Sequence, residues 1–203
     1  MSFGLGHLGP ALAEFAAAHP ALKVELTLDD RVIDLVGEGY DMAIRIADLP
    51  PSALVARRLA VSRRMLCAAP AYLGRAGHPE RPEDLARHAC LGYSYLATGN
   101  DWRFSGPDGP ITVRIDPILS VNNGDVLRQM AVAGLGIMLS PTFIAGDDLR
   151  SGALVPLLSQ WTEADTGIFA VYPHSRHLSP KVRAFVDFLA ARFSPAPYWD
   201  AGL

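Results

Sequence analysis

The run between Lys23 and Ile46 constrains the fold more than any other part of this 203-residue chain. Val24, Leu26 and Leu28 alternate with Lys23, Glu25 and Thr27, which is the two-residue period of a half-buried strand. Val32, Leu35 and Val36 then recur at helical spacing, and Gly37 and Gly39 supply a helix stop. Met42, Ile44 and Ile46 alternate once more. The run predicts a strand over 23–28, a helix over 31–38 and a strand over 41–46. That is a βαβ unit, and it implies an α/β protein with a parallel sheet.

The rest of the chain extends the pattern. A helix is expected over 9–19, with Leu8, Leu12 and Phe15 as its apolar stripe, Pro10 in its first turn and Pro20 past its end. The prolines of Asp48-Leu-Pro-Pro-Ser52 make a loop, and strands follow over 55–59 and 64–68. Pro82-Glu-Asp-Leu-Ala reads as a proline-started helical turn. Strands over 90–94 and 102–104 precede Pro107-Asp-Gly-Pro110, a hairpin turn into a strand over 111–115. A strand over 118–121, a helix over 125–133 and a strand over 137–139 form a second βαβ unit. After a strand over 168–172, Ser179 and Pro180 open a final helix whose stripe is Val182, Phe185, Val186, Leu189 and Phe193. Two such modules, joined near Pro70 and again near Pro173, imply two Rossmann-like subdomains with a ligand cleft between them. Subdomain I is expected over 1–70 plus 173–203, and subdomain II over 71–172. Helix N-termini at the carboxyl ends of the strands would suit a small anion such as a carboxylate.

Composition removes several functions. Lys and Arg number 18 against 21 Asp and Glu, a net charge of −3, so the chain lacks the basic surplus of a protein that grips nucleic-acid phosphates alone. Cys67 and Cys90 lie in apolar runs without ligand-like spacing and read as buried free thiols. No signal peptide and no apolar run near the ~20 residues of a membrane span is visible, so a cytoplasmic protein without membrane contact is expected. His174 and His177 stand three apart, but with no carboxylate or thiolate partner implied, so a surface loop is expected. No nucleophile elbow surrounds any serine. No catalytic residue, metal or cofactor is expected. Gly4, Gly6 and Gly9 satisfy G-x-G-x-x-G, with Asp29 near the place of a ribose-binding acid. That chemistry needs a strand immediately before the first glycine, and only three residues precede it. A glycine-rich helix start is the better account, and a nucleotide-dependent oxidoreductase remains a remote alternative.

The segment Asp30-Arg-Val-Ile-Asp-Leu-Val-Gly-Glu-Gly-Tyr-Asp-Met-Ala-Ile-Arg-Ile46 resembles a recurrent phrase of the effector-binding domain of LysR-type transcriptional regulators. Ser2-Phe-Gly-Leu-Gly-His-Leu-Gly-Pro, Arg64-Met-Leu-Cys-Ala-Ala-Pro-Ala-Tyr-Leu73, Asn122-Asn-Gly-Asp-Val-Leu, Ala133-Gly-Leu-Gly-Ile-Met-Leu-Ser-Pro141 and Ser179-Pro-Lys-Val-Arg-Ala-Phe are similar to later phrases of that family, in its order. The resemblance covers nearly the whole chain. It implies a type 2 periplasmic-binding-protein-like fold that senses a small, anionic or aromatic metabolite and is not an enzyme. A transporter-type solute-binding module shares that plan, and the missing signal peptide argues against it. The implied partners are the small-molecule effector, further copies in a homodimer or homotetramer built on 24–28 and 32–38, and promoter DNA through a winged helix-turn-helix domain absent here.

The implied ligand residues are Ser2, Phe3, Asp30, Ile46, Tyr93, Asn122 and Asn123. Each has a plainer reading. Ser2 is either a ligand hydroxyl or a frayed terminal residue. Asn122 and Asn123 can cap the helix that follows them, as Asp30 can cap the helix over 31–38. Tyr93, Tyr95 and Trp102 either line a cleft or fill a core, with core packing preferred for Trp102. The family also begins this domain with a strand leading into the Ser2 position, where only Met1 stands. Met1 is therefore expected to be an artificial start or a start codon assigned too late. A parallel sheet without that inner strand would leave donors and acceptors on both neighbours unpaired.

Overall fold

The computed structural model describes residues 1–49, 53–107, 109–161, 165–174, 179–193 and 196–203. Ten strands and five α-helices are arranged in two compact units among these residues. The inserted unit comprises Arg63–Asp165 with Met1–Ser2 and Gly202–Leu203, and the split unit comprises Phe3–Ser62 and Thr166–Ala201. Asp108, the prolines of the 48–52 loop and His177 lie outside the described residues.

Helix begins at Ser2 and, in the split unit, passes through a π-helical stretch at Gly4–Leu8 and continues as α1 (Gly9–Ala18). Strands β1 (Ala43–Ala47) and β2 (Leu54–Ser62) flank the chain-distant β10 (Thr166–Pro173) in a sheet of order β1-β10-β2, antiparallel throughout. Helix α5 (Pro180–Phe193) buries Val182, Val186, Leu189 and Phe193 of the stripe its spacing predicts, while the stripe's Phe185 is half-buried. Phe15 of α1 meets Phe185 and Phe188 of α5 at ring-centroid distances of 4.8 and 5.4 Å. Arg57 of β2 pairs with Asp187 on the outer face of α5.

The inserted unit carries a five-stranded sheet of order β7-β4-β8-β3-β9, from β3 (Arg64–Ala68), β4 (Cys90–Tyr93), β7 (Pro117–Val121), β8 (Ile137–Pro141) and β9 (Val155–Leu157). β4 runs parallel to both β7 and β8, while β3 is antiparallel to β8 and β9. The expected second βαβ unit is present: β7, helix α3 (Gly124–Val132) and β8, with β4 lying between the two strands. Helix α4 (Thr142–Ser151) packs in the same cluster as α3, whereas α2 (Pro70–Ala76) buries Tyr72 and Leu73 in the cluster on the opposite face. The hairpin β5 (Asp101–Gly106)–β6 (Gly109–Arg114) packs Trp102, Phe104 and Val113 onto the sheet face opposite α3. Tyr72 of α2 accepts the Ala89 amide at 2.9 Å and shares a hydrogen bond with His88 Nδ1 at 3.0 Å, tying that helix to the start of β4. Cys67 and Cys90 are free and fully buried. Burial pushes both thiols up to about 12, with the Asp148 charge adding to the shift at Cys67, so neither is a thiolate near neutral pH.

The first βαβ unit does not form. Residues 22–30 are extended but unpaired, and 31–40 hold only a turn. Alternation gives a strand its two faces, but a strand persists only when a neighbour completes its hydrogen bonds. The amides of 23–28 make no hydrogen bond among the described residues, and β1 ends its sheet with its outer edge unpaired. Leu28 is held from another direction, against the backbone of Gly4 where a Cβ would overlap it. The expected helix is only about two turns long, below the length at which a helix holds without packing. Leu35 alone of its stripe is buried, while Val32 and Val36 are 85% and 63% exposed. The parallel sheet expected in this half is accordingly an antiparallel one.

Candidate functional site

Four of the seven candidate residues gather in the inserted unit. β4 and β7 are adjacent parallel strands with Tyr93 in register with Val121, so Tyr93 and Asn122 stand at two neighbouring carboxyl ends. Helix α3 begins immediately afterwards. This is the position at which an open α/β sheet offers a ligand its free helix amides.

Asn123 is the N-cap: its side-chain oxygen accepts the Val126 amide at 3.0 Å. Asn122 is exposed. The half-buried Tyr93 ring meets Tyr95 edge-on at 6.1 Å and leans on the core beneath α3. Ser2 comes to the same helix mouth from the other end of the chain. A Cβ built on Gly124 would lie 3.1 Å from Ser2 Oγ and 2.5 Å from the end of the Ile144 side chain, so a side chain there would have to displace Ile144 and press on Ser2. Ser2 Oγ is buried and has no hydrogen-bond partner among the described residues. Burying a hydroxyl unpaired costs roughly 1–3 kcal/mol, so a group that completes this bond would be held there. Asp125, in the first turn of α3, likewise has one buried carboxylate oxygen without a partner.

The other three candidates fall in the split unit. Phe3 is a core residue, packed against Phe193 and Trp199 at 5.6 Å each and stacked on His7 at 5.4 Å. The Phe3 ring is thus engaged in packing, so any contact it offers a ligand would come from its backbone. Asp30 is half-buried in the extended segment, and the helix it was expected to cap is absent. Ile46 is half-buried in β1 opposite Ile168. Sequence reading missed Gly124, Asp125 and Ile144. The Asn-Asn-Gly-Asp order signals a capped helix start, but nothing local signals the approach of Ser2.

Gly4, Gly6 and Gly9 lie inside helix rather than in a strand-to-helix turn, and none has a positive φ. Asp29 is engaged by the Arg31 guanidinium and backbone amide, which hold its carboxyl down at about 2. The phosphate cradle of a dinucleotide site is not there. No group of three or more His, Cys, Asp or Glu among the described residues is placed to hold a metal. No helix among them is long and apolar enough to cross a membrane.

The sequence model of the LysR substrate binding domain family matches residues 1–194. The transcriptional activator TtdR of Escherichia coli (strain K12) is 37% identical over 190 residues, covering 93% of this chain and 61% of TtdR. The transcriptional regulator DmlR of the same strain is 34% identical over 200 residues, covering 95% and 64%. The chain thus spans about three fifths of the length of these curated relatives. The regulatory domain of CrgA from Neisseria meningitidis superimposes with a TM-score of 0.84 at 32% identity, covering 94% of each chain. The regulatory domain of AphB from Vibrio vulnificus does so at 0.80 with 26% identity, covering 93% of each. These similarities support neither the transporter-type reading nor the oxidoreductase one. The chain belongs to the LysR substrate-binding domain family, with the type 2 periplasmic-binding-protein-like fold of LysR-type regulatory domains.

Proposed function

We propose that this domain senses a small anionic metabolite at the mouth of α3, and relays its occupancy to a DNA-binding domain outside these 203 residues. The observation that carries the reading is the buried, partnerless Ser2 hydroxyl set against the capped start of α3. A carboxylate there would accept from Ser2 and from first-turn amides, on the positive end of the helix dipole. No bond is made or broken. The effector acts through its differential affinity for two arrangements of the domain or its oligomer. The cytoplasm is its place of work, and promoter DNA is contacted only through the relatives' helix-turn-helix portion.

A charge-assisted bond from Ser2 is worth roughly 1.5–3 kcal/mol. Ser2→Ala is expected to weaken effector binding about ten- to a hundredfold in calorimetry, at about 1.4 kcal/mol per decade, without lowering the melting temperature of the ligand-free chain. Asn123→Ala should do the reverse. Loss of the cap costs about 1 kcal/mol of stability, and affinity stays nearly unchanged. Unchanged affinity in Ser2→Ala removes Ser2 from the site.

Self-association is part of the same reading. Val24 and Leu26 are 51% and 43% exposed, as are Val32 and Val36 a few residues further along the chain at 85% and 63%, an apolar set that supports a homodimer or homotetramer contact through 24–28 and 32–38. Light scattering at high micromolar concentration is expected to read a dimer or larger, and monomer alone counts against the contact.

A further inference from the structure

A second cavity, of about 520 Å³, opens in the inserted unit and is within the size range of small-molecule pockets. Its floor is one rung of the sheet: Leu66 is in register with Leu139 on one side and Leu157 on the other. Phe104 and Trp161 add aromatic walls. The Ser2 site stands at the β7–β4 side of the sheet. This pocket stands at the β8-β3-β9 side, on the face that the β5–β6 hairpin covers, and shares none of the candidate residues named above.

The walls are held by two unusual backbone positions. Trp161 packs against Gly106, where a Cβ would overlap the indole Cδ1. Leu158 has φ +50°, the left-handed region that a leucine rarely adopts, and its carbonyl accepts the Trp161 amide at 2.8 Å. Such strain is characteristic of ligand clamps. At the mouth stand Arg63, Ser159 and Asp165, with Arg64 also in the lining. The side chains of Arg63, Ser159 and Asp165 make no hydrogen bond or ion pair with a described residue, and the opposite charges of Arg63 and Asp165 are not bridged to each other.

We propose that this pocket binds an amino acid with a large apolar side chain. The α-carboxylate would take the two N–H bonds of the Arg63 fork and the Ser159 hydroxyl, the α-ammonium would face Asp165, and the side chain would cover the leucine rung between Phe104 and Trp161. A plain apolar carboxylate leaves Asp165 unanswered, and an amine leaves Arg63 so.

The test is calorimetric titration of L-leucine and L-phenylalanine into the chain, with 3-phenylpropionate and phenethylamine as partial ligands. One L-amino acid is expected to bind one to one and to change Trp161 fluorescence. Arg63→Met and Asp165→Asn should each weaken it at least about tenfold, and both partial ligands should bind at least about tenfold less well than L-phenylalanine. Ser2→Ala should leave it unchanged. Failure of both amino acids to bind at millimolar concentration overturns the proposal, as does binding that tolerates both mouth variants. Binding lost in Ser2→Ala instead would assign the amino acid to the α3 mouth and equally overturn it.

Discussion

Trp102→Ala is expected to destabilise the inserted unit by about 3–5 kcal/mol, the cost of removing a fully buried large aromatic side chain. Trp102 is 2% exposed, lies opposite Val113 in the β5–β6 hairpin and packs in one cluster with Tyr72, Leu85 and Ile137. Those neighbours sit on a helix, a 3-10 turn (Pro82–Arg87) and a central strand, so the space cannot close without moving three elements. Urea unfolding followed by far-ultraviolet circular dichroism should show the midpoint fall with little change in slope. A loss below about 1 kcal/mol would mean that the hairpin is not part of this core. The same packing places the 63–165 cavity walls, so Trp102→Ala should also loosen Phe104 beside it.

The second large effect concerns residues 22–40. Amides of 23–28 are expected to exchange hydrogen at close to the unprotected rate in dilute protein. The Ile168 and Ala170 amides, in the central strand of the antiparallel sheet, should be slower by about a thousandfold or more, roughly 4 kcal/mol of opening free energy. The difference follows from pairing alone. Hydrogen-exchange mass spectrometry of the 22–40 peptide reads it directly, and protection there equal to that of β10 would show that the segment has found a strand partner.

This segment also marks where sequence reading stops. Val24, Leu26 and Leu28 carry the right period for a strand, and Val32, Leu35 and Val36 the right period for a helix. Period says which face a segment would bury, not whether a neighbour exists to bury it against. Where the neighbour is supplied, the same reasoning succeeds: α5 forms on its predicted stripe because α1 meets it, and β7–α3–β8 forms because β4 joins both strands. The candidate site divides the same way. The Asn123 cap is a local event, three residues long, and was legible. The approach of Ser2 to Gly124 spans more than a hundred residues and was not foreseen; the family resemblance supplied Ser2 as a candidate but not its neighbour. The burial of Phe3 among Phe193 and Trp199 joins opposite ends of the chain, and no pattern around Phe3 announces it.

The central claim is that a small anion occupies the mouth of α3. An amide NMR titration of the 15N-labelled chain with a panel of small carboxylates and hydroxy acids tests it most directly. The account predicts that at least one member shifts the Ser2, Gly124, Asp125 and Val126 amides together, saturably and with a single dissociation constant, while the Leu189 and Phe193 amides of α5 stay in place. Saturable binding that leaves those four amides unmoved, or a panel that moves none of them at millimolar concentration, would contradict it.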